Sequence, residues 1–412
     1  MLGSKANADL DEGPSGTTRQ RPNHHDPTLD QAGRMTALEA IAQADPPEGP
    51  PSAGMPGTTP TPGDTEIQIG GRPTRQIVVL GTLAALLLVA FVANLGAGAV
   101  TIAPGDVIEV LAHHAGIGNG STPRFDAVVW DIRLPRALLA ALVGAALAVA
   151  GAALQAVFRN PLAEPSIIGV ANGAAVGAVM VIVTGVAFAG VYTVPAAAFV
   201  GGLVATGVVF LVATQDNRIE VVTLVLAGIA VNVTAAAATG LFTYLADDDQ
   251  LRDIVFWMLG SLAGATWTRI GTVAVPILLA AVVLCSRARS LDLLALGDRE
   301  AGHLGINVTR MRVLVVALAA LATGSAVAVA GVVGFVGLVV PHMVRLVAGP
   351  DHRTLLPASV VGGAALLLMA DLAARTLVVP SELPLGVVTA LAGGPYFLWL
   401  IRRQRTADGG WL

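Results

Sequence analysis

The sequence predicts an all-α integral membrane protein, a ten-span helical bundle with an inverted repeat. Three observations lead there. Hydrophobic residues make up 54% of the chain and charged residues only 13%; uncharged apolar stretches of bilayer-spanning length recur from Ile77 onward; and arginine gathers on one side of the spans so defined. With a mean hydropathy of +0.73 over 412 residues, length counts spans here and not domains.

Residues 1–72 are rich in Pro, Gly, Asp, Thr and Ser, with little apolar periodicity beyond the run from Met35 to Ala42. Such a segment cannot bury enough apolar surface to offset its ordering entropy and reads as a disordered cytoplasmic tail. It lacks the apolar core and cleavage site of a signal peptide, so it is expected to stay on the mature protein. Residues 73–405 form the membrane domain, and 406–412 a short cytoplasmic C-terminal tail.

Within the membrane domain, residues 77–99 and 137–158 are the first two spans. The uncharged run between Glu164 and Asp216 is about twice one span, so it holds two helices, with a break from Gly190 to Pro195. Residues 221–246 and 270–286 follow. The run 313–344 would be roughly 48 Å long as one helix, against a hydrocarbon core of about 30 Å. Gly331, Gly334 and Gly337 divide it into spans near 313–330 and 335–346. Residues 355–370 and 385–401 complete ten, which puts both termini on one side of a bacterial cell membrane.

Charge supports that count. With the termini cytoplasmic, the outer loops keep Arg124, Arg133, Arg136, Arg252, Arg269 and Arg375, and every other arginine from Arg72 onward falls inside. The octet Gly144-Ala-Ala-Leu-Ala-Val-Ala-Gly151 in span two matches Gly324-Ser-Ala-Val-Ala-Val-Ala-Gly331 in span seven. Helices an odd number of spans apart run antiparallel, as in an inverted-topology repeat; chance similarity among Ala/Gly/Val-rich helices is the alternative. The 47 glycines let helices pack closely in lipid.

Composition also excludes functions. Lys5 is the only lysine and lies outside any G-x-x-x-x-G-K-[ST] pattern, so the chain holds no P-loop ATPase site and no catalytic centre or cofactor of its own is expected. Any use of ATP comes through a partner. No basic field for nucleic acid exists. Cys285 sits alone in an apolar stretch and reads as packing.

Four segments go beyond a generic membrane protein. Arg133-Leu-Pro-Arg136 enters span two from outside with two arginines on one helix face, placed either to receive acidic groups of a partner or to snorkel to lipid headgroups. Phe158-Arg-Asn-Pro-Leu-Ala-Glu-Pro165 leaves span two as a rigid turn. Within a loop at about 290–310, Leu296-Gly-Asp-Arg-Glu-Ala-Gly-His-Leu-Gly305 reads as a short surface helix offering Ala301 and Leu304, or else as a solvated loop helix. Gly331-Val-Val-Gly-Phe-Val-Gly-Leu-Val-Val-Pro-His-Met-Val-Arg345 precedes Ala370-Asp-Leu-Ala-Ala-Arg375 and Glu382-Leu-Pro-Leu-Gly386, whose ionisable groups near span ends pair and anchor helix ends.

In this order the segments resemble the FecCD/BtuC-like permease family of ABC importers for iron chelates, heme and cobalamin, over about residues 75–405. The resemblance implies a homodimer or pseudodimer of ten-span subunits, two separate ATPase subunits and an extracytoplasmic binding protein. Carried onto this sequence, it implies that Arg133, Arg136 and Arg375 meet acidic residues of the binding protein. Gly297, Ala301, Leu304 and Gly305 would belong to a coupling helix seated in the ATPase. The fifth span and its outer continuation would line the translocation path, with Asn232, Thr239, Tyr244 and Arg252 as candidates.

The outer loop from Tyr244 to Asp253, with Trp257 and Trp267, resembles the heme-importing branch, so heme is the expected substrate and a ferric siderophore or cobalamin the alternative. Arg252 would meet substrate carboxylates, although position alone makes the tryptophans an interfacial aromatic belt. His113 and His114 in the first outer loop are candidates for heme iron, or are simply solvated. A secondary transporter, the alternative from another class, needs ionisable groups near the bilayer midplane, and the span assignment places none there.

Overall fold

The structure, a computed structural model, describes residues 72–98, 100–117, 123–215 and 218–407. The N-terminal tail up to residue 71 and residues 408–412 lie outside the described residues. In chain order the helices are α1 (Arg72–Gly96), α2 (Pro104–His114), α3 (Leu134–Phe158, entered through a π-helical turn over Ala127–Arg133), α4 (Val170–Thr184), α5 (Thr193–Ala213), α6 (Val221–Leu245) and α7 (Asp248–Leu259). There follow α8 (Trp267–Ser286), α9 (Ala288–Leu296), α10 (Asp298–His303), α11 (Val308–Ala330), α12 (Val336–Ala348), α13 (His352–Thr376) and α14 (Leu385–Ala407). A two-residue antiparallel ladder, β1 (Thr214–Gln215) on β2 (Arg218–Ile219), closes the turn between α5 and α6 with Thr214 opposite Ile219.

Among the described residues seven helices are long and apolar enough to cross a membrane, namely α1, α3 with its π turn, α5, α6, α8, α11 and α13. Three shorter apolar helices, α4, α12 and the Leu385–Leu400 part of α14, bring the spans to ten in the predicted order. Helix ends follow backbone strain. α4 stops at Gly185 (φ 66°) and α11 at Gly331 (φ 70°), both in the left-handed region that a Cβ disfavours. The break between spans three and four therefore begins at Gly185. Pro195 sits in the first turn of α5, where its missing N–H is no loss.

Spans two and seven, α3 and α11, are the central helices and are buried over most of their length, whereas α1 and α6 expose broad apolar faces. Small residues set this. A methyl on Gly144 would strike the Gly363 carbonyl, and one on Gly151 the Gly337 carbonyl, so the backbones are in contact there. α3 packs on α13 as α11 packs on α5, and α3 and α11 pack on each other. An in-plane two-fold exchanging spans two with seven and four with nine gives that pattern.

α4 and α12, with 15 and 13 residues, are only about 22 and 20 Å long at 1.5 Å per residue. Each is reached through an irregular segment, residues 159–169 and 331–335, and the two segments meet inside the bundle. Pro165 lies against Gly337. Gln155 Nε2 donates to the carbonyls of Ala163 at 3.3 Å and Gly337 at 3.4 Å. Glu164 Oε1 accepts the Phe335 N–H at 3.0 Å, just where Phe335 takes a left-handed φ of 68°. Gly337 is beside the Leu147 carbonyl, midway along α3, and the Ser166 carbonyl accepts Asn232 Nδ2 at 3.0 Å, midway along α6. Glu164 is thus level with the middle of the bundle, a depth at which the span assignment placed no ionisable group. The turn after span two does not stay at the surface; it folds back between helices before α4 begins.

Candidate functional site

Two sites at opposite ends of the spans contain the residues singled out from sequence. At one end α9 leads into α10 through Gly297 (φ 138°), and α10 ends at Leu304 and Gly305 (φ 85°). The Gly305 N–H donates to the Gly302 carbonyl and the Ile306 N–H to the Ala301 carbonyl at 2.9 Å. A left-handed glycine of this kind stops the helix sharply. The segment is tied down by arginine. Arg312, on α11 and only 5% exposed, donates through Nη2 to both Asp298 oxygens at 2.8 and 3.0 Å and through Nη1 to the Ile219 carbonyl at 2.8 Å. Arg159 Nη2 lies 3.8 Å from Asp298. One carboxylate therefore joins the start of α10 to α11 and to the turn after span two, and through Arg312 to the β1–β2 hairpin. The short surface helix read from sequence is present, but Ala301 does not face outward. It is fully buried, because the side of α10 that bears it packs inward, whereas Leu304 and Leu296 are 59% and 65% exposed.

At the other end Arg133, Arg136 and Arg375 come together, and all three are engaged within the chain. Arg133 donates through Nη1 to the carbonyls of Leu95 and Gly96, each at 2.8 Å, and through Nη2 to that of Val100. Arg136 donates through Nε to Asp371 at 3.0 Å and grips both oxygens of Glu382, at 3.0 and 2.9 Å. Arg375 donates to the Asn94 carbonyl at 3.2 Å and its side-chain oxygen at 2.8 Å. Its Nε stands 3.2 Å from the other Asp371 oxygen, an ion pair too poorly angled for a hydrogen bond. Arg133 and Arg136 are 6% and 8% exposed, and Asp371 1%. These residues tie the ends of α1, α3 and α13 to the segment before α14. Glu382, with 43% of its side chain accessible, is the member open to solvent.

The path candidates divide. Asn232 takes Asn172 Nδ2 at 2.9 Å on its side-chain oxygen, and Thr239 is 7% exposed, so both turn toward neighbouring helices of the same chain. Tyr244, 85% exposed, and Arg252, paired loosely with Asp249 at 3.7 Å, face outward. The segment read as an outer loop is in fact α7, begun by a reciprocal capping box between Asp247 and Gln250 that the Asp-x-x-Gln spacing spells out. His114 stacks on Trp130 with ring centroids 3.7 Å apart, and Trp267 donates its indole N–H to the Trp130 carbonyl at 3.1 Å. Trp257 packs partly buried against the cluster around Ala174, Ala198 and Val327. Trp267 and Trp257 thus serve helix packing. Among the described residues no three His, Cys, Asp or Glu side chains converge as a metal site would need.

Residues 86–403 match the FecCD transport family. The chain belongs to this family of ABC importer permeases. Against FecCD relatives it is 46% identical over 286 residues to the hemin transport system permease protein of Yersinia pestis, covering 68% of this chain and 85% of that protein. It is 42% identical over 293 residues to the cobalamin import system permease of Halobacterium salinarum, covering 71% and 78%. A vitamin B12 import permease of Escherichia coli is 38% identical over 325 residues, covering 78% of this chain and 94% of its own. A solved structure described as an inward-facing metal-chelate type ABC transporter superposes with a TM-score of 0.71 at 33% identity, covering 79% of this chain and 99% of that one.

Proposed function

We propose that this FecCD permease imports heme, working with separate ATPase subunits, an extracytoplasmic binding protein and a second copy of itself in a bacterial cell membrane, with both termini in the cytoplasm. The observation that carries the heme reading is the 46% identity to a hemin permease. The cobalamin permeases, at 42% and 38%, support cobalamin as the second reading, and a ferric siderophore is the third. ATP binding and hydrolysis belong to the partner.

In this reading α10 and the exposed Leu304 seat in the ATPase, and Arg312 with Asp298 passes its displacement to α11. Arg133, Arg136 and Arg375 serve the donor at the outer face by fixing the helix ends. A donor carboxylate reaches Arg136 by displacing the accessible Glu382. Tyr244 and Arg252, on the exposed side of α6 and α7, line the path between two copies.

The test is ATP hydrolysis and uptake by the complex reconstituted in liposomes, with binding proteins loaded in turn with heme, cobalamin and a ferric siderophore. Heme-loaded donor should stimulate both. Stimulation by cobalamin or siderophore and not heme replaces the substrate, and no stimulation by any loaded donor overturns the importer reading.

A further inference from the structure

The turn from Arg159 to Gly169 is tied at three places to parts of the chain that lie far away in sequence. At its start Arg159 Nη2 stands 3.8 Å from Asp298, the carboxylate at the base of α10. Midway, Glu164 Oε1 accepts the Phe335 N–H at 3.0 Å, in the break between α11 and α12. Near its end the Ser166 carbonyl accepts Asn232 Nδ2 at 3.0 Å, and a methyl on Gly228 would strike the Ile167 carbonyl. A Cβ on Gly169 would touch Val231. Val231 and Asn232 follow Gly228 by three and four residues, so the end of the turn lies along one face of α6.

Between these ties the turn is stiff. Pro161 and Pro165 fix two of its φ angles. The Asn160 side-chain oxygen accepts the Leu162 N–H at 2.9 Å, its carbonyl accepts the Ala163 N–H at 3.1 Å, and Gln155 Nε2 donates to the Ala163 carbonyl. A stiff segment pushed at one end and held in the middle must move at the other.

The middle tie is the unusual one. Phe335 has a φ of 68°, a conformation that its Cβ disfavours and that persists only where the surroundings impose it. Two contacts impose it here. Its N–H is held by the Glu164 carboxylate, a charge-assisted hydrogen bond, and its ring lies where a methyl on Gly393 of α14 would be. Glu164 belongs to the first repeat and Phe335 to the second, so the bond also joins the two repeats. We propose that the turn 159–169 is a lever from α10 to α6 and that Glu164, through the Phe335 N–H, is its fulcrum. Glu164 is thus a positioning residue, which makes a displacement of α10 swing the middle of α6. The proposal rests on α10 being the part that the ATPase grips, and it stands apart from which substrate the permease carries.

The test uses the full-length permease with Cys285→Ser, which removes its one thiol, and nitroxides at Val233→Cys in α6 and Leu88→Cys in α1, positions 65% and 63% exposed. Labelled permease is diluted with unlabelled permease and assembled with its ATPase in nanodiscs. Double electron–electron resonance then reads the α1–α6 distance with and without ATP and vanadate. With Glu164 in place the distance should shift when nucleotide is trapped. Glu164→Leu, which accepts no hydrogen bond, should lose the shift while the ATPase still co-purifies. Glu164→Gln, whose amide oxygen can accept the Phe335 N–H, should keep it. A Glu164→Leu permease that shifts like its parent, whatever its thermal midpoint, overturns the fulcrum, and so does a Glu164→Gln permease that loses the shift. An ATPase that co-purifies with the parent and moves no distance on trapping overturns the lever. An ATPase that does not co-purify with the parent overturns the coupling reading itself, and the lever with it. Should Glu164→Leu fail to fold, Asn232→Ala, which frees the Ser166 carbonyl at the far end of the turn, is held to the same criteria.

Discussion

The arginine cluster around Arg136 and the end that carries α10 are built from the same parts and arranged to different purposes. Both use an arginine that is under 10% exposed to grip a carboxylate with two hydrogen bonds, Arg136 on Glu382 and Arg312 on Asp298. Around Arg136 the ionisable groups multiply, and Asp371, Arg375 and Arg133 join a network that holds the ends of three helices. Around Arg312 the clamp is followed at once by α10 with Leu304 exposed. A buried network resists displacement because moving one member leaves another charge unpaired. At α10 one carboxylate, gripped by Arg312 and approached by Arg159, holds only the start of a six-residue helix, and in the proposed function this leaves a lever for the ATPase. The Arg136 end is therefore a frame, and in the proposed function the α10 end is a handle.

The comparison breaks first at Arg136. Arg136→Ala leaves Asp371 with Arg375 alone and should cost about 3–5 kcal/mol, as loss of one partner of a buried ion pair does; thermal unfolding in detergent should show a large drop in midpoint or in folded yield. A midpoint like the wild type's would mean that the network is not structural. Arg312→Gln removes one charged clamp and should cost less, about 1.5–3 kcal/mol, while lowering uptake per ATP hydrolysed. If stability falls as far as with Arg136→Ala, the two ends do not differ in kind. Gly305→Ala forces a Cβ at φ 85° and should cost on the order of 1 kcal/mol, with weaker coupling than the wild type in the same transport assay. Leu304→Asp should leave the unfolding midpoint unchanged and abolish ATPase association, measured by co-purification; intact association would take the handle away from this residue. Arg252→Ala, at an exposed pair that contributes little, should leave stability unchanged and lower substrate-stimulated uptake if it lines the path.

Much of this was legible. Ten apolar runs, the glycine break at Gly331 and the arginine bias foretold the spans, and Asp371, Arg375 and Glu382 read as charges that pair and anchor helix ends, whereas Arg133 and Arg136 read as groups for a partner or for lipid headgroups. What misled was side-chain direction over short elements. Six residues of α10 hold fewer than two turns, so periodicity does not say whether Ala301 or Leu304 faces out, and a neutral residue such as Asn232 or Thr239 is equally at home on either side of a span. Glu164 looked like part of a surface turn because nothing local tells a turn that stays at the interface from one that folds back between helices. The Asp247–Gln250 box was readable and marks the start of α7 inside what resembled a loop.

By itself the sequence determined that the chain lives in a bilayer, where its spans begin and break, and that it carries no P-loop, since these follow from apolar length, glycine strain and the lack of lysine beyond Lys5. Only the tertiary structure decided that α3 and α11 are the central helices, that Arg136 and its neighbours are already paired, and that the turn bearing Glu164 reaches Phe335. The reason is the solvent. In water, polarity marks the outward face of a helix; in lipid both faces are apolar, so the partner of each face is settled by where glycine and alanine let backbones touch and where a buried charge finds its counter-ion.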